Sequence, residues 1–233
     1  MVDKDGSKIP SRARITLLAA SRFGLGFLVL GILLFGSSGD LAWRGAWRYL
    51  GVIAGIMALV AAYLLAFDPE LLEKRMRTRE ARGPQKRCVA ASSLVILPLF
   101  ALPGLDRRFA WSSLPEAAQW AGLALVVAGF ALFFSVVRTN SYASRVIEVQ
   151  AGQKVIDTGP YSALRHPMYA ATILIYFGSP LALASFWALV PAAAYLPLLV
   201  LRILDEEAML RRDLPGYEEY CRRVRFRLVP GLW

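Results

Sequence analysis

The 233-residue chain is 57% hydrophobic and only 19% charged, with mean hydropathy +0.47. Soluble domains carry about 25% charged residues, and several apolar runs here approach the ~20 residues that cross a ~30 Å hydrocarbon core. A soluble fold is thereby excluded and a polytopic membrane protein expected. Its net charge of +10 then speaks of cytoplasmic loops and anionic lipid headgroups rather than of nucleic acid.

The polar, basic tail of residues 1–14 leads into a first span, Ile15–Gly36. No cleavable signal peptide is expected, because the apolar run is long and lacks a small-residue cleavage site. Gly24, Gly26 and Gly31 in this span permit close helix packing, or serve only as spacers. A short loop edged by Trp43 and Trp47, aromatics suited to the membrane interface, precedes a second span, Trp47–Phe67. Asp68-Pro69-Glu70 reads as a helix start, with an N-cap and a proline at the first position. The stretch to Arg87 carries seven Lys and Arg, either a solvated helix or a contact for anionic lipid or substrate. The third span, Cys88–Leu105, contains Pro98 and Pro103, which should bend it. A loop over Asp106–Glu116 and a fourth span, Ala117–Val137, follow.

Beyond the polar connection Arg138–Arg165, Met168–Leu204 runs for 37 residues with almost no charge. That is too long for one span and suits a hairpin, with its turn near Ala184-Ser185 or at Gly178-Ser179-Pro180. The tail Asp205–Trp233 is charged and amphipathic, fit to lie on a membrane surface. The expectation is an all-α transmembrane helical bundle of about six spans forming a single domain, 1–233. Residues 1–137 hold four N-terminal spans and 138–233 the functional core. The topology then gathers 21 Lys and Arg on one side and four on the other, which predicts both termini cytoplasmic. Cys88 and Cys221 give neither a disulfide framework nor metal-ligand spacing, so no metal is expected.

One stretch, Asp157–Tyr169 (DTGPYSALRHPMY), holds the only histidine, His166, and lies where the apolar chain meets water. Gly159-Pro160 signals a turn, and Pro167 suits the first turn of a helix, whose exposed N–H groups favour an anionic group. At the end of the hairpin, Arg202 and Glu206 are four apart and share one helical face, with Asp205 and Glu207 on either side of the glutamate. On spacing alone this is an ion pair on an emerging helix or a functional site, since ionisable groups at membrane depth are costly.

The order G-P-Y-x-x-x-R-H-P-x-Y (Gly159–Tyr169), apolar hairpin, R-x-x-x-E-E-x-x-L (Arg202–Leu210), then G-Y-x-x-Y and a basic end resembles the isoprenylcysteine carboxyl methyltransferase family. The motif-bearing resemblance covers roughly 140–233. It implies a helical membrane enzyme that uses S-adenosylmethionine and needs no Rossmann sheet. By the same resemblance His166, Pro167, Met168, Tyr169 and Tyr161 contact the cofactor, as do Gln153, Lys154, Val155 and Ile156 before the turn. Gln150 joins them once a short gap is allowed. Glu206 takes the place of the family's cofactor-binding glutamate and Arg202 that of its substrate-binding arginine, together the catalytic pair. The cofactor site would lie on the cytoplasmic side. The implied acceptor is a lipidic or prenylated substrate entering from the bilayer, a carboxylate such as that of a prenylated cysteine. Methylation of a phospholipid amine or small thiol, and an NADPH-dependent membrane reductase, are the other readings of the same motifs. A transporter fits less well, because the ionisable residues gather on one side rather than in mid-span.

Overall fold

The computed structural model describes residues 12–76, 83–143 and 149–233, with backbone alone at 83–86. Arg77, Arg79 and Arg82 of the basic loop lie outside the described residues. Every regular element among the described residues is helical: α1 (Arg12–Gly31), α2 (Arg44–Phe67), α3 (Pro69–Met76), α4 (Gly83–Phe109), α5 (Glu116–Thr139), α6 (Pro167–Ala182), α7 (Leu189–Asp213) and α8 (Tyr217–Arg223). A π turn, Ile32–Gly36, prolongs α1, and a 3₁₀ turn, Gly159–Ser162, precedes α6.

Four helical stretches, Arg12–Gly36, Arg44–Phe67, Arg87–Phe109 and Glu116–Thr139, have the length and composition to cross a membrane. That is the make-up of a helical membrane bundle. Helix α6 is shorter. Its 16 residues reach about 24 Å, and α7 ends in a charged turn. The six-span expectation thus divides into four full-length helices and a hairpin. The hairpin turns at Leu183–Ala188, where Ala184 takes φ +59°, as the Ala184-Ser185 alternative required. Pro180 merely sits in the last turn of α6.

Small residues explain why the hairpin packs where it does. A Cβ on Gly122 of α5 would stand 2.4 Å from the Ala182 nitrogen, and one on Gly178 of α6 would stand 2.7 Å from the Gly122 carbonyl. Gly129 comes equally close to Ala171 and Ile175. Backbone approach of this kind is what small residues permit in a bilayer, and α5–α6 is the most intimate helix pair. Gly24, Gly26 and Gly31, by contrast, have no neighbour within 4 Å of a built Cβ, so on α1 they act as spacers.

Several local expectations are corrected. The loop placed at Asp106–Glu116 begins only after Phe109, and α4 runs on through Pro98 and Pro103. Asp106 is buried and receives Ser112 N, Ser112 Oγ and Ser185 Oγ at 2.6–2.7 Å. It thus ties the end of α4 to the hairpin turn, because a buried carboxylate needs such donors. Trp43 is buried whereas Trp47 is exposed. The Asp68 cap is as expected, with Oδ1 accepting from Leu71 N at 3.0 Å. Helix α8 does not present its apolar face outward. Tyr217, Tyr220 and Cys221 turn inward onto Val149, Val155, Tyr161 and Leu210, which covers the motif.

Candidate active site

Pro167 opens α6 at the position where its missing N–H costs nothing. His166 is thereby fixed as the residue preceding the helix, with its carbonyl accepting from Tyr169 N and Ala170 N. The two residues before Pro167 pair with the C-terminal tail, Arg165 N donating to Phe226 O at 2.9 Å and His166 N to Arg227 O at 3.0 Å. Gly159, at φ +56°, makes the turn that brings Tyr161 under α8. There Asn140 Nδ2 donates to the Tyr161 hydroxyl at 2.9 Å, and the Tyr220 hydroxyl donates to Tyr161 O at 2.7 Å.

These elements surround a cavity of about 610 Å³, within the usual size of small-molecule sites. Gln153, Lys154, Val155, Ile156, Tyr161, His166, Pro167, Met168, Tyr169, Arg202 and Glu206 all line it. Gln150 does not. Its side chain donates to Tyr142 O and its backbone N–H to Gln153 Oε1, so it shapes the segment carrying Gln153 and is spent in doing so.

Arg202 and Glu206 both bond the Tyr169 hydroxyl. The Tyr169 hydroxyl donates to Glu206 Oε2 at 2.6 Å and accepts from Arg202 Nε at 3.0 Å. One glutamate further on, the sequence reading missed a second centre. Consecutive helical residues point about 100° apart, so Glu207 faces away from that pair and is 3% exposed. Its Oε1 lies 3.2 Å from both Arg165 Nη1 and His166 Nε2, and its Oε2 3.1 Å from Arg227 Nη2. Burial works to raise its pKa, but hydrogen bonds from His166 and Arg227 and the nearby positive charges prevail, holding it at about 2. Burial likewise pushes the Tyr161 hydroxyl up to about 12, so it remains a neutral donor or acceptor. The signal for Glu207 was present in the doubled glutamate and in the arginine preceding His166. Nothing in the sequence, however, placed Arg227 beside them.

Among the described residues two buried polar atoms, the Tyr217 hydroxyl and Arg165 Nε, have no hydrogen-bond partner, and both residues line the cavity. Buried donors left unmatched are rare and costly, so the site fits a ligand that brings acceptor atoms to this end. Among the described residues no cluster of His, Cys, Asp and Glu could hold a metal ion.

The cavity changes character along its length. Its far wall is apolar, built from α1, α2, α4 and α5 by Phe23, Met57, Leu64, Ile96, Phe130 and Phe133. The polar end, built on the R-H-P helix start and the E-E helix end, is continuous with this apolar trough.

Residues 117–214 match the phospholipid methyltransferase family model. That family falls within the isoprenylcysteine carboxyl methyltransferase-like group of membrane methyltransferases. The methyltransferase match takes in α5, the motif, α6 and α7, and with them Tyr161, His166, Tyr169, Arg202, Glu206 and Glu207. It leaves out α1–α4 and the α8 tail, which supply most of the apolar wall, Tyr217 and Arg227. No curated protein matches the chain.

Proposed function

We propose that the protein transfers a methyl group from S-adenosylmethionine to an amphipathic lipid acceptor drawn from the bilayer. The observation that carries this reading is one continuous cavity that is polar at the motif and apolar along α1, α2, α4 and α5. Bound S-adenosylmethionine would supply an electrophilic methyl group on its sulfonium. Its carboxylate suits the N-terminus of α6 and the unpaired donors of Tyr217 and Arg165, and its ammonium or ribose suits Glu206. The protein's own contribution is to orient these groups and to exclude water, with Tyr220 and Tyr217 of α8 covering the site.

The acceptor we favour is a carboxylate, as on a prenylated cysteine. Arg202 stands on the cavity wall to hold an anion, and a carboxylate is already ionised at neutral pH, so no base is required. The family match favours a second reading, a phospholipid amine. That nucleophile must lose a proton, and His166, on the cavity wall and 3.2 Å from Glu207, is the group to take it. Both readings place the motif, both termini and the tail on the cytoplasmic side, with the hairpin completing six passes and anionic headgroups facing the basic loops.

A methyl-transfer screen in detergent, with labelled cofactor against prenylcysteine analogues, phospholipid amines and small thiols, tests this. Calorimetry with S-adenosylmethionine and NADPH accompanies it. Binding of NADPH alone, with no transfer, would overturn the proposal. His166→Ala and Glu206→Ala should each weaken S-adenosylmethionine binding in folded protein, and wild-type affinity in both would remove these residues from the site.

A further inference from the structure

A second cavity, of about 470 Å³, opens at the end of the bundle away from the motif, where the starts of α2 and α5, the end of α4 and the hairpin turn meet. The methyl-transfer site does not use it. Four Lys and Arg fall on this side in the expected topology, and three of them, Arg44, Arg48 and Arg107, line this one cavity. Membrane proteins carry few basic residues on that face, so their convergence calls for a cause.

Their partners leave room for an anion. Arg107 is answered by Asp40, Nη2 to Oδ2 at 2.7 Å. Arg48 is half-buried and meets only neutral groups. Its Nη2 donates to Gln119 Oε1 at 3.2 Å, and its guanidinium lies 4.2 Å from the centre of the Trp120 ring. Arg44, one turn earlier on α2, is exposed and makes no ion pair among the described residues. Glu116 shares the wall, its Oε1 accepting from Trp120 Nε1 at 3.2 Å. One carboxylate thus faces two arginines, Arg44 and Arg48, and positive charge is in excess.

An independent observation points to the same space. Trp43 is 4% exposed, yet its indole N–H has no acceptor among the described residues. The Nε1 atom stands 2.9 Å from where a Cβ on Gly45 would sit, and both residues are cavity wall. An N–H taken out of water without a partner is costly. Helix α2 starts immediately after Trp43, and no side chain caps its first N–H groups. Guanidinium forks, an indole N–H and a helix N-terminus together suit an oxyanion with several lone pairs. The surroundings say which one. Trp47, Trp111 and Trp120, each about half exposed, stand at this end as aromatics do at headgroup level.

We propose that this cavity binds the phosphodiester of an anionic phospholipid in the leaflet opposite the motif, held by Arg44, Arg48 and the Trp43 N–H. The bound headgroup ties the start of α2 to α5 and the hairpin turn.

Native mass spectrometry and thermal melts in detergent test it, with dioleoylphosphatidylglycerol, dioleoylphosphatidylcholine or inorganic phosphate added. Wild type should hold phosphatidylglycerol about tenfold or more tightly than Arg48→Gln or Arg44→Gln does, as expected for a lost charged hydrogen bond, and should melt higher with it bound. The basic residues near the motif are the same in all these proteins, so the difference reads this cavity. S-adenosylmethionine affinity should be unchanged in both variants. Arg44 is exposed, so Arg44→Gln stays measurable even if Arg48→Gln fails to fold. Equal phosphatidylglycerol affinity in wild type and Arg44→Gln overturns the proposal. So does phosphatidylcholine held as tightly as phosphatidylglycerol, or protection by inorganic phosphate with none from the lipid.

Discussion

At the scale of single residues, the carboxylate of Glu207 joins three segments that are far apart in sequence. Removing its charge leaves the buried Arg165 and the half-buried Arg227 opposite a neutral group, and breaking a buried pair costs ~3–5 kcal/mol. Glu207→Gln should therefore lower the melting temperature strongly in detergent. The pH dependence follows from the direction of its shift. A folded-state pKa of about 2, below the ordinary 4.5 of a glutamate, makes the ionised form stabilising above the unfolded value, and that stability drains away as pH falls from about 5 toward 2. Wild-type thermal stability should decline across that window, whereas Glu207→Gln should be flatter. An equal slope in both would assign the acid sensitivity to other groups. Arg202→Ala should cut kcat/KM by about 10²–10³, ~3–4 kcal/mol at ~1.4 kcal/mol per tenfold, because an unpaired anion is left in a partly apolar site. Arg202→Lys should recover part of it, since a point charge cannot replace the fork. Cofactor affinity should fall less than tenfold in both, because Arg202 bonds the Tyr169 hydroxyl, which itself holds Glu206. Collapse of cofactor binding with the acceptor's KM intact would move Arg202 into the cofactor site.

Among the helices, the seam of Gly122, Gly129 and Gly178 holds the hairpin to α5, and its neighbours are largely backbone atoms that cannot turn aside. Gly178→Ala should destabilise by about 1–3 kcal/mol, the usual cost of overpacking. Gly24→Ala, with open space around it, should be neutral or gain about 0.5–1 kcal/mol from helix propensity. Thermal melts of the two variants side by side check the contrast, and equal shifts would contradict it. The same glycines show where sequence reading stops. Apolar length and caps were legible because they depend on neighbouring residues, so the four long helices, the Asp68 cap and the Pro167 start all came out. Which glycine faces another helix depends on how each helix is rotated, and no single span records that. The site divides in the same way. His166, Tyr169, Arg202 and Glu206 were legible through contiguous motifs, whereas Glu207's partner Arg227 and the inward face of α8 arise only when distant segments meet.

For the molecule as a whole, the expected topology can be probed by reporter fusions at Gly39, Gly83, Ser113 and Gly152, which should alternate out, in, out, in. Ser113 is the choice for the second outer loop because Gly104, inside α4, packs against Leu34 and Ser37, and an insertion there would disturb the bundle. Any other order removes the charge argument for cytoplasmic termini. That contact at Gly104 also governs how an acceptor is met. Helix α4 joins the first helix pair mainly at the π turn, and nearer the motif the two sides stand apart as cavity walls, with Phe23 and Met57 facing Val89, Ser92, Ser93 and Ile96. An acceptor seated in that trough is sampled from a two-dimensional solvent, and its effective concentration is a mole fraction among lipids. Diluting a lipidic acceptor with inert phospholipid at fixed bulk concentration should therefore slow initial rates in proportion. Adding more vesicles of unchanged composition, at fixed enzyme per vesicle, should leave the rate per enzyme where it was.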